Sequence, residues 1–197
     1  MSLAFTKKHL AAALITGASL FSLPALADNY VIDTKGAHAS INFAVTHLGF
    51  STLTGRFNTF SGDFTYDPAN LGASTVNVTI DTNSVDTNHA ERDKHLRTPE
   101  FLNVAKNPKS TFVSKKVVLG SDKNSFDLVG DFTLNGVTKS ITIAAKKIGE
   151  GKDPWGGQRA GFSGTTEIFL KDFKIESKFI PDTESIKLAL YIEGVKK

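Results

Sequence analysis

The chain of 197 residues contains no cysteine. That absence excludes disulfides, thiolate metal sites, cysteine nucleophiles and thioether-linked haem, so the core must hold the fold alone. Catalytic signatures are also missing. There is no G-x-S-x-G and no phosphate-cradling glycine loop. Ser163, in Gly161-Phe162-Ser163-Gly164, falls in a strand pattern and lacks the strand-to-helix elbow of a hydrolase. With no legible pair of base and nucleophile, the chain reads as a non-enzyme without catalytic residues or cofactor. Charge of one sign is lacking too: 23 Lys and Arg face 20 Asp and Glu. The signs are interspersed without a basic stripe, which argues against a nucleic-acid partner.

Long apolar runs are confined to one place, Leu10 to Leu23. Lys7, Lys8 and His9 precede it, and Pro24 and Ala25-Leu26-Ala27 follow, the pattern of an export signal cleaved after Ala27. The run is short for a membrane span and holds Thr16, Gly17, Ser19 and Ser22. Residues 1–27 are therefore expected to be a cleaved signal peptide, with 28–197 a single domain of near-neutral charge.

What the chain has in abundance is alternation. Ile41, Phe43 and Val45 share one face of an extended segment. Val76, Val78 and Ile80 repeat the pattern, as do Leu128, Phe132 and Leu134, and then Ile186, Leu188, Leu190 and Ile192. Eight strands are expected, near 39–46, 56–66, 74–86, 109–119, 125–134, 137–148, 160–171 and 185–193. Asn135-Gly136 suits a type I′ hairpin, whose two central residues need positive φ.

Long antiparallel strands with short connections leave exposed edges, and closure into an up-and-down barrel removes them. The expected fold is an all-β, eight-stranded antiparallel barrel with a short helical excursion. A two-sheet sandwich is the competing architecture. An outer-membrane barrel would turn its apolar rows to lipid. Here Asp81, Asp127, Asp131 and Lys139 would meet lipid once the apolar rows face inward, so the chain is not expected to span a membrane.

Fifteen phenylalanines are present, thirteen of them after residue 27. Phe43, Phe57, Phe60, Phe64 and Tyr66 crowd two early strands and suit an elongated slot. Val45, Val78, Ile80, Phe132 and Phe162 extend this candidate cavity set. The plain alternative is a densely packed core. A lipid tail in such a slot gains ~0.8 kcal/mol per buried methylene, so about ten methylenes suffice for useful affinity.

Three irregular segments could supply polar contacts. In Ser84–Arg97, Asn88 with Glu91 three residues later forms a candidate capping box. His89, Arg92 and Leu96 then share one helical face, with His95 beside Arg92. Arginine suits a phosphate or carboxylate head, although a solvated helix reads equally well. His89 and His95 cannot share a face, so no metal site is expected. Thr98-Pro99 is a candidate second helix start, with Phe101 and Leu102 as anchors. His47–Arg56 reads as a loop or single helical turn at a barrel mouth, with His47 near a ligand head. Trp155, in Asp153-Pro154-Trp155-Gly156-Gly157, is placed over an opening.

HLGFSTLTGRF (His47–Phe57), VNVTIDTNSVDTNHAERDKHLR (Val76–Arg97), LNGVTK (Leu134–Lys139), DPWGGQRAGF (Asp153–Phe162) and KDF (Lys171–Phe173) together resemble the YceI-like family of bacterial periplasmic proteins. The resemblance implies a lipocalin-like barrel with an elongated cavity for an amphiphile, such as a polyisoprenoid, an isoprenoid quinone or a fatty-acid derivative. It implies a periplasmic location and no catalytic residues. Many relatives carry glycine after the Asp-Phe pair, where Lys174 stands here. Periodicity leaves a homodimer through the outer barrel face open.

Overall fold

The computed structural model describes residues 27–176 and 185–197; residues 1–26 of the expected export signal lie outside them. Eleven strands follow one another as β1 (Asp28–Ile32), β2 (Ser40–His47), β3 (Ser51–Phe57), β4 (Phe60–Tyr66), β5 (Thr75–Asp81), β6 (Val85–Asp86), β7 (Lys109–Leu119), β8 (Ser125–Leu134), β9 (Val137–Lys152), β10 (Gln158–Phe169) and β11 (Ser185–Lys196). Among the described residues a single α-helix, α1 (Ala90–Leu96), follows β6.

These pieces form eight lanes. β1 and β2 make one lane, because β11 pairs with both: Tyr30 to Ile32 lie against Lys196 to Gly194, and Ser40 to Ala44 against Tyr191 to Lys187. β3 and β4 make the second lane, pairing β2 and β1 on one side and β6 and β5 on the other. β5 and β6 form the third lane, and β7 to β11 follow in order. Every pairing is antiparallel, and the β1–β11 contact closes the ring. This is the expected up-and-down barrel, and closure leaves the main lanes no free edge.

Sequence alternation overlooks two stretches. Asp28–Ile32 is a five-residue strand whose inward residues are only Tyr30 and Ile32. Ser51–Arg56 is strand rather than loop or helical turn, because β2 and β3 form a tight hairpin. Its turn residues Leu48 and Gly49 take φ of 50° and 78°, and the Phe50 amide donates to the His47 carbonyl at 2.9 Å. Holding a leucine left-handed costs about 1–2 kcal/mol. Asn135 and Gly136 adopt the same geometry, at 50° and 74°, as their sequence requires. Lys174, where many relatives have glycine, is also left-handed at 56°.

Helical expectations need two corrections. Asn88 does not cap α1; it adopts a left-handed φ of 60° and donates its amide to Asp86. His89 is the cap, its Nδ1 accepting from the Arg92 amide at 3.2 Å. Thr98-Pro99 starts no helix; residues 97–106 are successive turns, where the Thr98 hydroxyl turns back to the His95 carbonyl. Phe101 and Leu102 are nonetheless buried anchors.

Inward positions are the apolar rows, and outward positions such as Asp127, Lys139 and Lys187 are exposed. That is the reverse of a lipid-facing barrel. No helix among the described residues is long and apolar enough to cross a membrane.

Candidate ligand-binding cavity

The interior holds a cavity of about 410 Å³. That falls within the usual range for small-molecule sites, roughly 300–1,000 Å³. The walls are side chains of the alternating strands. Phe43 and Val45 of β2, Phe57 of β3 and Phe64 and Tyr66 of β4 line it. Val78 and Ile80 of β5, Phe132 of β8 and Phe162 of β10 complete the expected apolar set. Phe60 is the exception: it packs beside the Tyr30–Phe64 cluster and stands outside the lining. The lining also includes residues that alternation marked as inward without singling them out, among them Ile41, Leu128, Leu188 and Leu190. Leu53, Leu71 and Phe101 come from irregular or short segments whose facing could not be read from a period.

One end is plugged by aromatics. Tyr30 stacks on Phe64 with centroids 4.9 Å apart, and Phe162 stands edge-on to Phe64 and Tyr66 at 5.5 and 5.4 Å. Gly194 makes the stack possible, since a Cβ there would overlap the Phe64 ring. Lys147 donates to the Tyr66 hydroxyl at 3.1 Å and to Glu150 at 3.2 Å. Burial pushes the Tyr66 phenol up, and its hydroxyl raises the Lys147 ammonium in turn.

Outside this end, Arg159 staples the closure seam. Its Nη1 donates to Asp33 at the end of β1 and to Glu193 on β11, at 2.7 and 2.6 Å, and its Nε donates to Asp153 at 2.6 Å. The guanidinium holds the Asp33 carboxyl far below the usual carboxylate range and lowers Asp153 as well. Asp33, His38 and Glu193 bring three possible metal ligands within 4.8 Å of one another. Arg159 already supplies the positive charge at both carboxylates, so the group does not need a cation.

The opposite end carries the polar residues. Buried Asp93 of α1 accepts from the Thr87 amide at 2.8 Å and from its hydroxyl at 2.5 Å. Thr87 in turn fixes Arg92, accepting from Nε at 2.7 Å and, through its carbonyl, from Nη2 at 2.8 Å. Arg92 lines the cavity, and no described carboxylate pairs with it. Its charge is thus held at the mouth by neutral oxygens, and among the described residues no hydrogen-bond partner stands at Nη1. His95 also lines the cavity, but its Nε2 is 2.9 Å from Glu100 and its ring stands edge-on to Phe101. His47 lines the same end, exposed at the close of β2.

Two expected mouth residues lie elsewhere. His89 is spent as the α1 cap, is exposed and does not reach the lining. Trp155 is 83% exposed on the β9–β10 turn, at the plugged end. Asp153 folds that turn under itself by accepting from the Trp155 and Gly157 amides, so the indole projects outward and covers no opening.

A closed antiparallel barrel with an apolar lumen, one plugged end and a polar mouth is a lipocalin-like architecture. The YceI-like domain model matches residues 30–193. A UPF0312 protein of Shewanella sp. (strain ANA-3) is 55% identical over 193 residues, covering 97% of this chain and all of the relative. A Campylobacter jejuni YceI protein of known crystal structure is 32% identical, with a TM-score of 0.69 over 77% of this chain and 90% of that one. A polyisoprenoid binding domain from Saccharophagus degradans, implicated in plant cell wall breakdown, shares the fold with a TM-score of 0.62 at 17% identity, over 88% of this chain and 100% of that one. The chain belongs to the YceI-like family.

Proposed function

We propose that the protein is a periplasmic carrier or buffer that sequesters an amphiphilic lipid, with an isoprenoid tail in the lumen and a polar head at Arg92. The observation that carries this reading is the apolar cavity of about 410 Å³ ending at a guanidinium that has no carboxylate partner among the described residues. The volume falls in the range of small-molecule sites, and a tail with on the order of a dozen buried methylenes is taken as its scale. Their burial at ~0.8 kcal/mol each gives about 10 kcal/mol before the costs of association. Association costs of about 4–15 kcal/mol consume much of that gain, so the head contact at Arg92 has to contribute to a stable complex. A polyisoprenoid, an isoprenoid quinone or a fatty-acid derivative all fit this chemistry. The fold likeness to a polyisoprenoid binding domain supports the first of these. Binding accounts for the site better than catalysis does, because the lumen is walled by Phe, Leu, Ile and Val and its mouth offers a hydrogen-bonding cation. The export-signal pattern of residues 1–27 supports the periplasmic part of this reading.

The test is organic extraction of protein purified from its native periplasm, followed by mass spectrometry. A stoichiometric lipid with a tail of about a dozen carbons or more is expected. Empty protein under several growth conditions would sink the carrier reading and favour an envelope stress or interaction protein with an incidental cavity.

A further inference from the structure

The mouth carries an apolar tip that folding does not explain. Leu48 is 65% exposed and Phe50 86% exposed at the β2–β3 turn. Leu48 sits left-handed, where asparagine, aspartate or glycine is favoured. The Asn135-Gly136 turn has the same φ signs at the same end of the barrel. There the asparagine eases the turn and also bonds to Asn107 and to the Phe173 and Lys174 carbonyls. The chain therefore uses the favourable residue where the turn serves structure. At the β2–β3 turn it uses leucine, which neither eases the backbone nor reaches the core.

Three features say what covers the tip. First, Thr46, His47 and Leu53, immediately behind it, line the cavity, so the tip is continuous with the lumen wall. Second, a half-exposed phenylalanine stands close by. Phe169 ends β10 on the outer face, two lanes from β2 and so about 10 Å away. The Lys171 ammonium lies 6.0 Å from its ring centroid. Apolar rings beside lysines suit the boundary between acyl chains and headgroups. Third, the tip is a convex two-residue knob. A stable protein partner needs a complementary face of about 800 Å² per side. A bilayer accepts a knob without matching its shape.

We propose that Leu48-Gly49-Phe50 docks the protein on a phospholipid bilayer, setting into its interface so that the barrel mouth faces the membrane. Thr46 and His47 then stand at the headgroup level. An amphiphile moves between bilayer and lumen past Arg92 with little of its tail in water. The carrier reading supplies the reason for docking, but the tip's partition into lipid is measurable without it.

The test is flotation of the protein with vesicles of phosphatidylethanolamine and phosphatidylglycerol, comparing wild type with Leu48→Asn/Phe50→Ser. Wild type should float, and the double variant should lose about tenfold or more in partition, with an unchanged or higher melting temperature. Trp155, at the far end, should keep its emission maximum on vesicle binding. Binding of anilinonaphthalene sulfonate in the absence of vesicles should be equal in both proteins. If neither protein takes up the dye, the carrier reading fails while flotation still decides the docking. Equal flotation of the two proteins, no flotation of either, or a vesicle-induced blue shift of Trp155 overturns the proposal. So does a concentration-dependent dimer that the double variant abolishes, which would assign the tip to a second copy.

Discussion

The two ends of the barrel are built from the same alternating strands and finished in opposite ways. At the plugged end Tyr30, Phe64, Tyr66 and Phe162 meet ring on ring, and Arg159 pins the seam outside them. At the mouth, Asp93, Thr87 and Arg92 form a chain of hydrogen bonds above empty apolar volume, and two hairpin turns project past it. Alternation decides that side chains point inward. The size of those side chains, and the glycines opposite them, decides whether a layer fills or stays hollow. Aromatic packing is thereby concentrated at one end and open apolar volume at the other.

Five substitutions, one of them followed across pH, probe that division, in descending size of effect. Phe64→Ala opens the plug and should cost about 3–5 kcal/mol in urea unfolding. A cost near zero would mean the stack is not where stability resides. Asp93→Ala strands the Thr87 amide and hydroxyl and should cost about 2 kcal/mol. It should also weaken any anionic ligand by loosening Arg92, which a purely structural role would leave alone.

Arg159→Met tests the seam. Asp33 and Asp153 have lowered pKa values, so their stabilising contribution is complete above the ordinary carboxylate value near 4 and fades as the pH falls below it. The urea midpoint of the variant should therefore lie below wild type at pH 7, with the gap narrowing by pH 3. A gap of constant size would remove the ionic explanation. Arg92→Ala should weaken an anionic-headed amphiphile roughly tenfold while sparing a purely apolar one of equal length. Equal losses for both would end the headgroup role. Smallest of all, Leu48→Asn relieves a left-handed leucine and should stabilise the fold by about 0.5–1 kcal/mol.

Much of the fold was legible because a barrel strand repeats every two residues. The rows Ile41-Phe43-Val45 and Leu188-Leu190-Ile192 face the lumen as their period requires. Asn135-Gly136 makes its turn because few other pairs tolerate it. Ser51–Arg56 was illegible because Gly55 breaks the apolar row. Its missing side chain makes room for the Phe43 ring from the neighbouring strand, a fact of cross-strand packing. His89 took the cap from Asn88 because Asp86 holds the Asn88 amide and turns that residue left-handed. Trp155 looked like a lid because a large aromatic on a turn is unusual, but Asp153 folds the turn away from the lumen.

The sequence alone determined the lane count, the inward rows, the lack of covalent staples and the polar excursion bearing Arg92, since each depends on residues within a few positions of one another. Closure of Tyr30 against Lys196, the choice of plugged end and the hollow beneath Arg92 were decided only in three dimensions. They depend on which side chains, far apart in the chain, come to share one layer of the barrel.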